Sequence, residues 1–361
     1  MFYNQNINKQ NKTILKGGTS MKKKMLSVLL AAAMVLSMAG CGSSGNDKKE
    51  DSAEKSAAEK TNTKDSGKIK IGYSPYTMTN EYFSAILDGL QSKCDELGME
   101  LIYYDPQNDP TTQSKQIDDM ISMGIQALVY IPYDFSGARN VCQTLQDAGV
   151  YVVNADAVVS EDDYDVVDAI VASDNEGLGQ LSGEWVAENY PDGANILIAH
   201  LQTAEACVLN VEGFWEGIKE KAADPDKYKE VQVVEGGGAS DVTFDAVTDA
   251  LQAHDDIDVI YCINDTSAQG AIQAVEEAGK SGEIAILGKD AAPIGKQAIK
   301  DGKQVQSSGQ SPLSVGSTSA ERCYELINGK EADKDFDFFT KIKAFSVTKD
   351  NIDDYDIDSW Q

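Results

Sequence analysis

The stretch VIYCINDTSAQGAIQAVEEAGK, residues 259–280, contains in order a strand, a polar turn and a helix. Val259–Ile263 is apolar throughout, so it reads as a strand covered on both faces, as strands of parallel sheets are. Asn264 and Asp265 interrupt it with short polar side chains. Ser267–Ala278 then has helical spacing, and Gly279 stands where the chain takes the left-handed turn that ends a helix.

The same unit recurs outward in both directions. Strand-like runs are Ile69–Tyr73, Glu100–Tyr104, Ala127–Ile131, Tyr151–Ala155, Ala169–Ala172, Ile196–Ala199, Val231–Val234 and Ile284–Leu287. Helix-length segments lie between most of them: Phe83–Leu97, Ser114–Met123, Ala138–Ala148, Leu178–Glu188, Phe214–Ala222 and Asp245–His254. Gly98, Gly124 and Gly149 occupy the same stop position as Gly279. The alternation predicts α/β architecture with parallel sheets. In such sheets ligands bind beyond the carboxyl ends of the strands. Those ends carry Ser74 and Tyr76, Asp134, Asn154 and Asp156, His200 and Gln202, Asn264 and Asp265, Lys289 and Asp290, and Gln310. Amides and carboxylates dominate, and these groups suit neutral hydroxyls, which both donate and accept.

The ends of the chain read differently. Met21-Lys22-Lys23-Lys24 is a positive start, and Met25–Ala39 an apolar run too short and one-sided for a spanning helix, so residues 21–41 read as an export signal. It closes on Leu36-Ser37-Met38-Ala39-Gly40-Cys41, which resembles a bacterial lipobox, with Met38 where Leu is commoner; lipidation is expected on Cys41. Residues 42–67 have no aromatic and too little apolar surface to fold, and read as a disordered tether. Residues 1–20 precede the positive start, and Lys16-Gly17-Gly18 is what a purine-rich ribosome-binding site gives on translation, so the expected true start is Met21.

The formal net charge is −28, and removing residues 1–41, with six Lys and no acid, takes it to −34. That excludes nucleic acid as a partner, which needs surface Lys and Arg. Beyond Cys41 there are Cys94, Cys142, Cys207, Cys262 and Cys323, an odd number with no CxxC, so buried free thiols are expected rather than a disulfide frame or a zinc site. EGGGASD (Glu235–Asp241) lacks phosphate-loop spacing and reads as a turn. The acidic end DDYDIDSW reads as a solvated tail, without the Gly and distal Glu of a calcium loop. No cofactor or metal is expected.

NEYF (Asn80–Phe83), ASDN (Ala172–Asn175), EGF (Glu212–Phe214), Ile263–Lys280, LGKD (Leu287–Asp290) and DGK (Asp301–Lys303) leading to Gln310 occur in a specific order and spacing. From Lys68 to about Thr348 the chain thereby resembles the type I periplasmic sugar-binding proteins, the ribose-binding-like receptors of ABC importers. The resemblance implies two doubly wound lobes with parallel sheets, joined by a three-strand hinge and closing on a sugar. The lobes it implies are 68–173 with 311–338, and 174–310 with 339–361. The chain would be a monomeric, lipid-anchored receptor on the outer face of the bacterial cytoplasmic membrane. It would deliver a sugar or polyol to ABC permease subunits, without chemistry of its own.

The family's ligand positions fall on Asn80, Tyr82, Phe83, Asp156, Asn264, Asp290 and Gln310. Ser74, Tyr76, Asp134, His200 and Asn210 are secondary candidates. One ring of the Tyr82–Phe83 pair is expected in the core and the other turned to a sugar face. Ile131 stands where ribose receptors carry Asn, Ala157 and Val208 where they carry Arg, and Gly238 about where they carry Phe. This disfavours ribose and points to a larger sugar, a cyclic polyol or a ligand with an amine. Other functions share some of these features: a receptor that presents ligand to a sensor kinase, a glycosidase using Asp156 and Asp290, and the sensing core of a transcription regulator. The last is opposed by the export signal and the want of a basic DNA-binding domain.

Overall fold

The computed structural model describes residues 67–133, 135–329 and 338–361. The export signal, Cys41, nearly all of the tether and Asp134 lie outside the described residues. The first half builds β1 (Lys70–Ser74), α1 (Glu81–Leu97), β2 (Glu100–Tyr103), α2 (Pro110–Ser122), β3 (Ala127–Tyr130), α3 (Phe135–Asp147), β4 (Tyr151–Ala155) and β5 (Ala169–Ser173). The second builds α4 (Asn175–Asn189), β6 (Ala194–His200), α5 (Glu205–Lys221), β7 (Tyr228–Glu235), α6 (Ser240–Ala253), β8 (Val259–Cys262), α7 (Asp265–Glu277), β9 (Ala285–Asp290), α8 (Pro293–Lys300) and β10 (Gln306–Gly309). The chain then returns through α9 (Pro312–Ile327), β11 (Phe339–Ile342) and β12 (Phe345–Thr348).

These strands form two sheets of matching order, β11-β5-β4-β3-β1-β2 and β12-β10-β9-β8-β6-β7. All described pairings are parallel except β10 with β12. In each sheet the strand order reverses beside the first strand, at β1/β3 and at β6/β8, which is where doubly wound sheets open a crevice. The chain changes lobe near Asp174, at 310–311, and at 343–344. The third change falls four residues later than the expected boundary at 338/339. The reason is pairing: Phe339–Ile342 runs parallel to Ile170–Ser173 and so belongs to the first sheet.

Gly98, Gly124, Gly149 and Gly279 all have φ between 71° and 81°, the left-handed helix ending the sequence implied. Other boundaries moved. α5 starts at Glu205, nine residues before the expected Phe214, and meets α4 from Asn210 onward. β10 contains no large apolar residue, yet Gln306, Ser307 and Ser308 are fully buried. Their polar groups are satisfied by Ser182, Ser346 and Asp265. The five cysteines at 94, 142, 207, 262 and 323 are free and buried. Trp185 and Trp215 pack on the second-lobe core.

Helices α4 and α5 touch backbone to backbone. A Cβ on Gly179 would lie 1.8 Å from the Asn210 carbonyl oxygen, and one on Gly183 2.0 Å from that of Phe214. The reverse contacts are as close: 2.0 Å from Gly213 to Glu176 O and 2.3 Å from Gly217 to Gln180 O. α1 and α9 meet the same way, at 2.1 Å from Gly89 to Leu313 O and 2.1 Å from Gly316 to Ile86 O. A methyl group there must push the paired main chains apart. Gly183→Ala is therefore expected to lower stability by about 1–3 kcal/mol, the usual size of overpacking, read as a lower urea midpoint. An unchanged midpoint would show that the seam yields without strain.

Candidate functional site

The site begins with backbone geometry. Asp156, just past β4, has φ 58°, and Asp290, the last residue of β9, has φ 110°. Non-glycine residues avoid this region, and holding one there costs about 1–3 kcal/mol. Both are carboxylates at strand ends, one from each lobe.

A chain of side chains connects them. The Tyr82 hydroxyl lies 3.0 Å from Asp156 Oδ1 and 3.1 Å from Gln310 Oε1. Gln310 Nε2 donates to Asp290 Oδ1 at 2.6 Å. Lys289 Nζ lies 3.2 Å from the same oxygen. One phenolic hydrogen faces two acceptors, so it serves one of them at a time. Among the described residues, Tyr82 is the side-chain donor to Asp156. Burial raises the Asp156 pKa above the ordinary carboxylate value. The Tyr82 hydrogen bond and the Lys289 charge oppose this, and the Asp290 charge adds to it. Lys289 is buried, which favours its neutral form, yet the Asp290 carboxylate beside it holds its pKa above the usual lysine value.

Tyr82 and Phe83 do not divide as the sequence implied. Both rings are buried in one first-lobe cluster, Phe83 inside it and Tyr82 at its edge. They meet edge-to-face at 5.7 Å, and Tyr82 meets Trp360 the same way at 5.6 Å. Tyr82 therefore offers its hydroxyl, rather than a bare ring face, to the polar chain. Tyr76 packs edge-on against Phe83 at 4.7 Å and against Tyr133 at 6.3 Å. Burial raises the Tyr76 pKa, and the Asp156 charge adds to it.

The remaining candidates are placed as follows. Asn80 caps α1, accepting from Tyr82 N at 3.0 Å, with its residue exposed. Asn264 caps α7, accepting from Ser267 N at 2.7 Å and donating to Gly238 O at 3.1 Å. Ser74 is buried beneath the β1 end. His200 is buried at the β6 end, with Nδ1 accepting from Leu201 N; burial lowers its pKa against the pull of Glu235 and Glu230. Asn210 is fully buried in the α4–α5 seam and donates to Asn175 O at 2.7 Å, while its Oδ1 has no partner among the described residues. Its place is dictated by the glycines around it, and it makes no hydrogen bond to the Asp156–Asp290 chain. The acidic tail departs from expectation at one residue: its acids are exposed, but Trp360 packs on the first-lobe core.

A family model described as a periplasmic binding protein domain matches residues 71–331. The chain belongs to that family. The ribose import binding protein of Bacillus subtilis is 26% identical over 285 residues, covering 77% of this chain and 88% of that protein. The D-xylose-binding periplasmic protein of Escherichia coli is 28% identical over 297 residues, covering 79% and 88%. A solved ABC transporter solute-binding protein from Bacillus halodurans, with bound myo-inositol, is 27% identical with a TM-score of 0.69, covering 81% of this chain and 99% of that one. These periplasmic binding proteins share two α/β lobes with mostly parallel sheets. No helix among the described residues is long and apolar enough to cross a membrane.

Behind the site of this periplasmic binding protein lies Asp265, which the sequence marks only as a strand-end acid. It is fully buried and accepts from Ala292 N at 2.9 Å, Gln304 Nε2 at 2.8 Å and Ser307 Oγ at 2.8 Å. Burial, joined by the Asp290 charge, pushes its pKa up to about 7 despite those donors. Lys289, Tyr133 and Trp360 are further residues around the site that family positions did not supply. The folded state thus holds the Asp265 proton more tightly than the unfolded chain. The stability this contributes is full below pH about 3.8 and is lost as pH rises to about 7. Raising pH from 5 to 8 is expected to destabilise the native protein by about 2 kcal/mol more than Asp265→Asn. Denaturant titrations at both pH values check this, and equal losses would assign the titration to other groups.

Proposed function

We propose that this protein captures a sugar or cyclic polyol between its lobes and delivers it to an ABC-type importer. The observation that carries the reading is the pair of positive-φ carboxylates, one per lobe, joined through Tyr82 and Gln310. This centre is rich in acceptors and short of donors, and a polyol brings donors. A carboxylate accepts from two hydroxyls, each such bond contributing about 1.5–3 kcal/mol. The ligand roles of Asn80, Tyr82, Phe83, Asp156, Asn264, Asp290 and Gln310 belong to this proposal, with Ser74, Tyr76 and His200 around them. Binding needs no bond-making: the ligand favours the arrangement in which it touches both lobes, by its extra contacts there. Relatives named for ribose and xylose and a neighbour holding myo-inositol support the ligand class.

A melting-shift screen over pentoses, hexoses, inositols and amino sugars tests the reading. At least one member should raise the melting temperature, and Asp290→Ala should abolish that rise while the ligand-free protein still melts cooperatively. A ligand shift that survives in Asp290→Ala would remove Asp290 from the site, and silence across the whole screen would refute the ligand class.

We also infer that the export signal delivers the chain to the outer face of the cytoplasmic membrane, where Cys41 is lipidated and residues 42–67 form the tether. The support is the positive start, apolar run and Leu36–Cys41 motif. Mass spectrometry of the membrane fraction should find an N-terminal peptide beginning at lipid-modified Cys41, and Cys41→Ala should leave the chain unprocessed. A mature N-terminus elsewhere, or peptides from residues 2–16 in the precursor, would overturn the corresponding assignment.

A further inference from the structure

The last residues start on one lobe and finish on the other. After β12, Ile352 is buried in a second-lobe cluster with Ala291, Ile299 and Val347. Tyr355 stacks on Phe345 at 5.4 Å with the rings 17° apart. Lys296, a fully buried α8 residue, donates its ammonium to the carbonyl oxygens of Asp356 and Ser359. Those bonds hold the tail on the second lobe until the residue before Trp360. Trp360 then leaves that lobe and packs edge-on against Tyr82, at 5.6 Å and 80°, among the first-lobe core residues. Its indole Nε1 is buried and without a hydrogen-bond partner. A buried indole N–H usually finds a partner, so its lack of one marks ring packing rather than hydrogen bonding as what seats this side chain. The ring it packs on carries the hydroxyl shared by Asp156 and Gln310.

We propose that Trp360 is a positioning residue for the ligand site, carried across the lobe junction by a C-terminal strap anchored on Lys296. The proposal rests on the sugar-capture reading for what is positioned, and on the tail's own contacts for how. Tyr82 sits at the edge of its cluster, where Phe83 supports one side of the ring. Trp360 supports it from a second direction and holds the hydroxyl between its two acceptors. The strap also links the lobes without being one of the three crossings. Any separation of the lobes must break either the Lys296 bonds or the Trp360 contact. A contact present in one arrangement alone shifts the balance toward that arrangement by its own free energy. Here that arrangement is the one in which Asp156 and Asp290 share a hydrogen-bonded chain.

The test uses the full chain. Trp185→Phe with Trp215→Phe leaves Trp360 as the remaining tryptophan. The probe is whichever of D-ribose, D-xylose, D-fructose and myo-inositol binds most tightly by calorimetry. Its addition should shift Trp360 emission. Removing residues 360–361 should weaken its binding about ten-fold, the scale of a lost aromatic contact. Trp360→Phe should recover most of the loss, and Lys296→Met should weaken binding in the same direction. Unchanged affinity in the shortened chain, with a lowered melting temperature, would make Trp360 a stability element and overturn the proposal. If none of the four sugars binds the native chain, that failure belongs to the sugar reading. The strap is then judged without ligand: Asp156→Asn, which alters the acceptor of the Tyr82 hydroxyl, should shift Trp360 emission, and unchanged emission would overturn the coupling.

Discussion

Two half-buried carboxylates of like charge, Asp156 and Asp290, belong to different lobes and are kept in one chain of polar contacts by Lys289, Gln310 and Tyr82. Like charges repel strongly away from water, so the arrangement exists only because the groups between them are well placed. Lys289 offsets one charge from the residue next to Asp290. Gln310 extends from the second crossing, donating with its amide nitrogen and offering its oxygen to Tyr82. Tyr82 comes from the first turn of α1, whose start is fixed by the Asn80 cap. The members thus come from four places, the ends of β4, β9 and β10 and the start of α1, and depend on the strand order that brings those ends together.

That placement needs rigid lobes. The glycine seams let α4 meet α5, and α1 meet α9, at main-chain contact, which leaves little freedom for the helices to slide. In the second lobe, the strand nearest the hinge is polar rather than apolar. Gln306, Ser307 and Ser308 bond outward to Ser182 on α4, Ser346 on β12 and Asp265 on α7. Directional bonds specify one register where apolar packing tolerates several. Gln310 follows directly from this strand, so its position inherits that precision.

What could be read in the sequence was what depends on local pattern. Apolar strands such as Val259–Ile263, helix stops such as Gly98 and Gly279, and the carboxylates at strand ends are all local signals, and the order of short motifs carried the two-lobe architecture. What could not be read depends on contacts far apart in the chain. β10 has no apolar signature because hydrogen bonds, not burial of hydrocarbon, hold it. Asn210 shares a helix face with Cys207, Gly213 and Phe214, and only the backbone contact of Gly179 shows how closely it is packed. The third crossing slipped by four residues because Phe339–Ile342 chooses its partner in the first sheet. Trp360 was hidden by its neighbours: a run of acids predicts solvent, and the carbonyl groups that Lys296 binds belong to the main chain, which the side-chain sequence does not advertise.

Charge then narrows what this centre complements. The chain is strongly acidic overall, at −28, and its field disfavours anionic solutes before they arrive. Inside the site, one ammonium faces two carboxylates, so the local balance is negative as well. Phosphorylated or acidic sugars meet both penalties. A neutral polyol would meet neither, because hydroxyls set against the carboxylates and Lys289 would donate and accept without adding charge. An amino sugar adds a cation where one is lacking, and there the raised pKa of Asp156 matters: burial resists its ionisation, and an ammonium nearby would relieve that resistance. An ammonium beside Asp156 would therefore lower its raised pKa, whereas a hydroxyl brings no charge to do so.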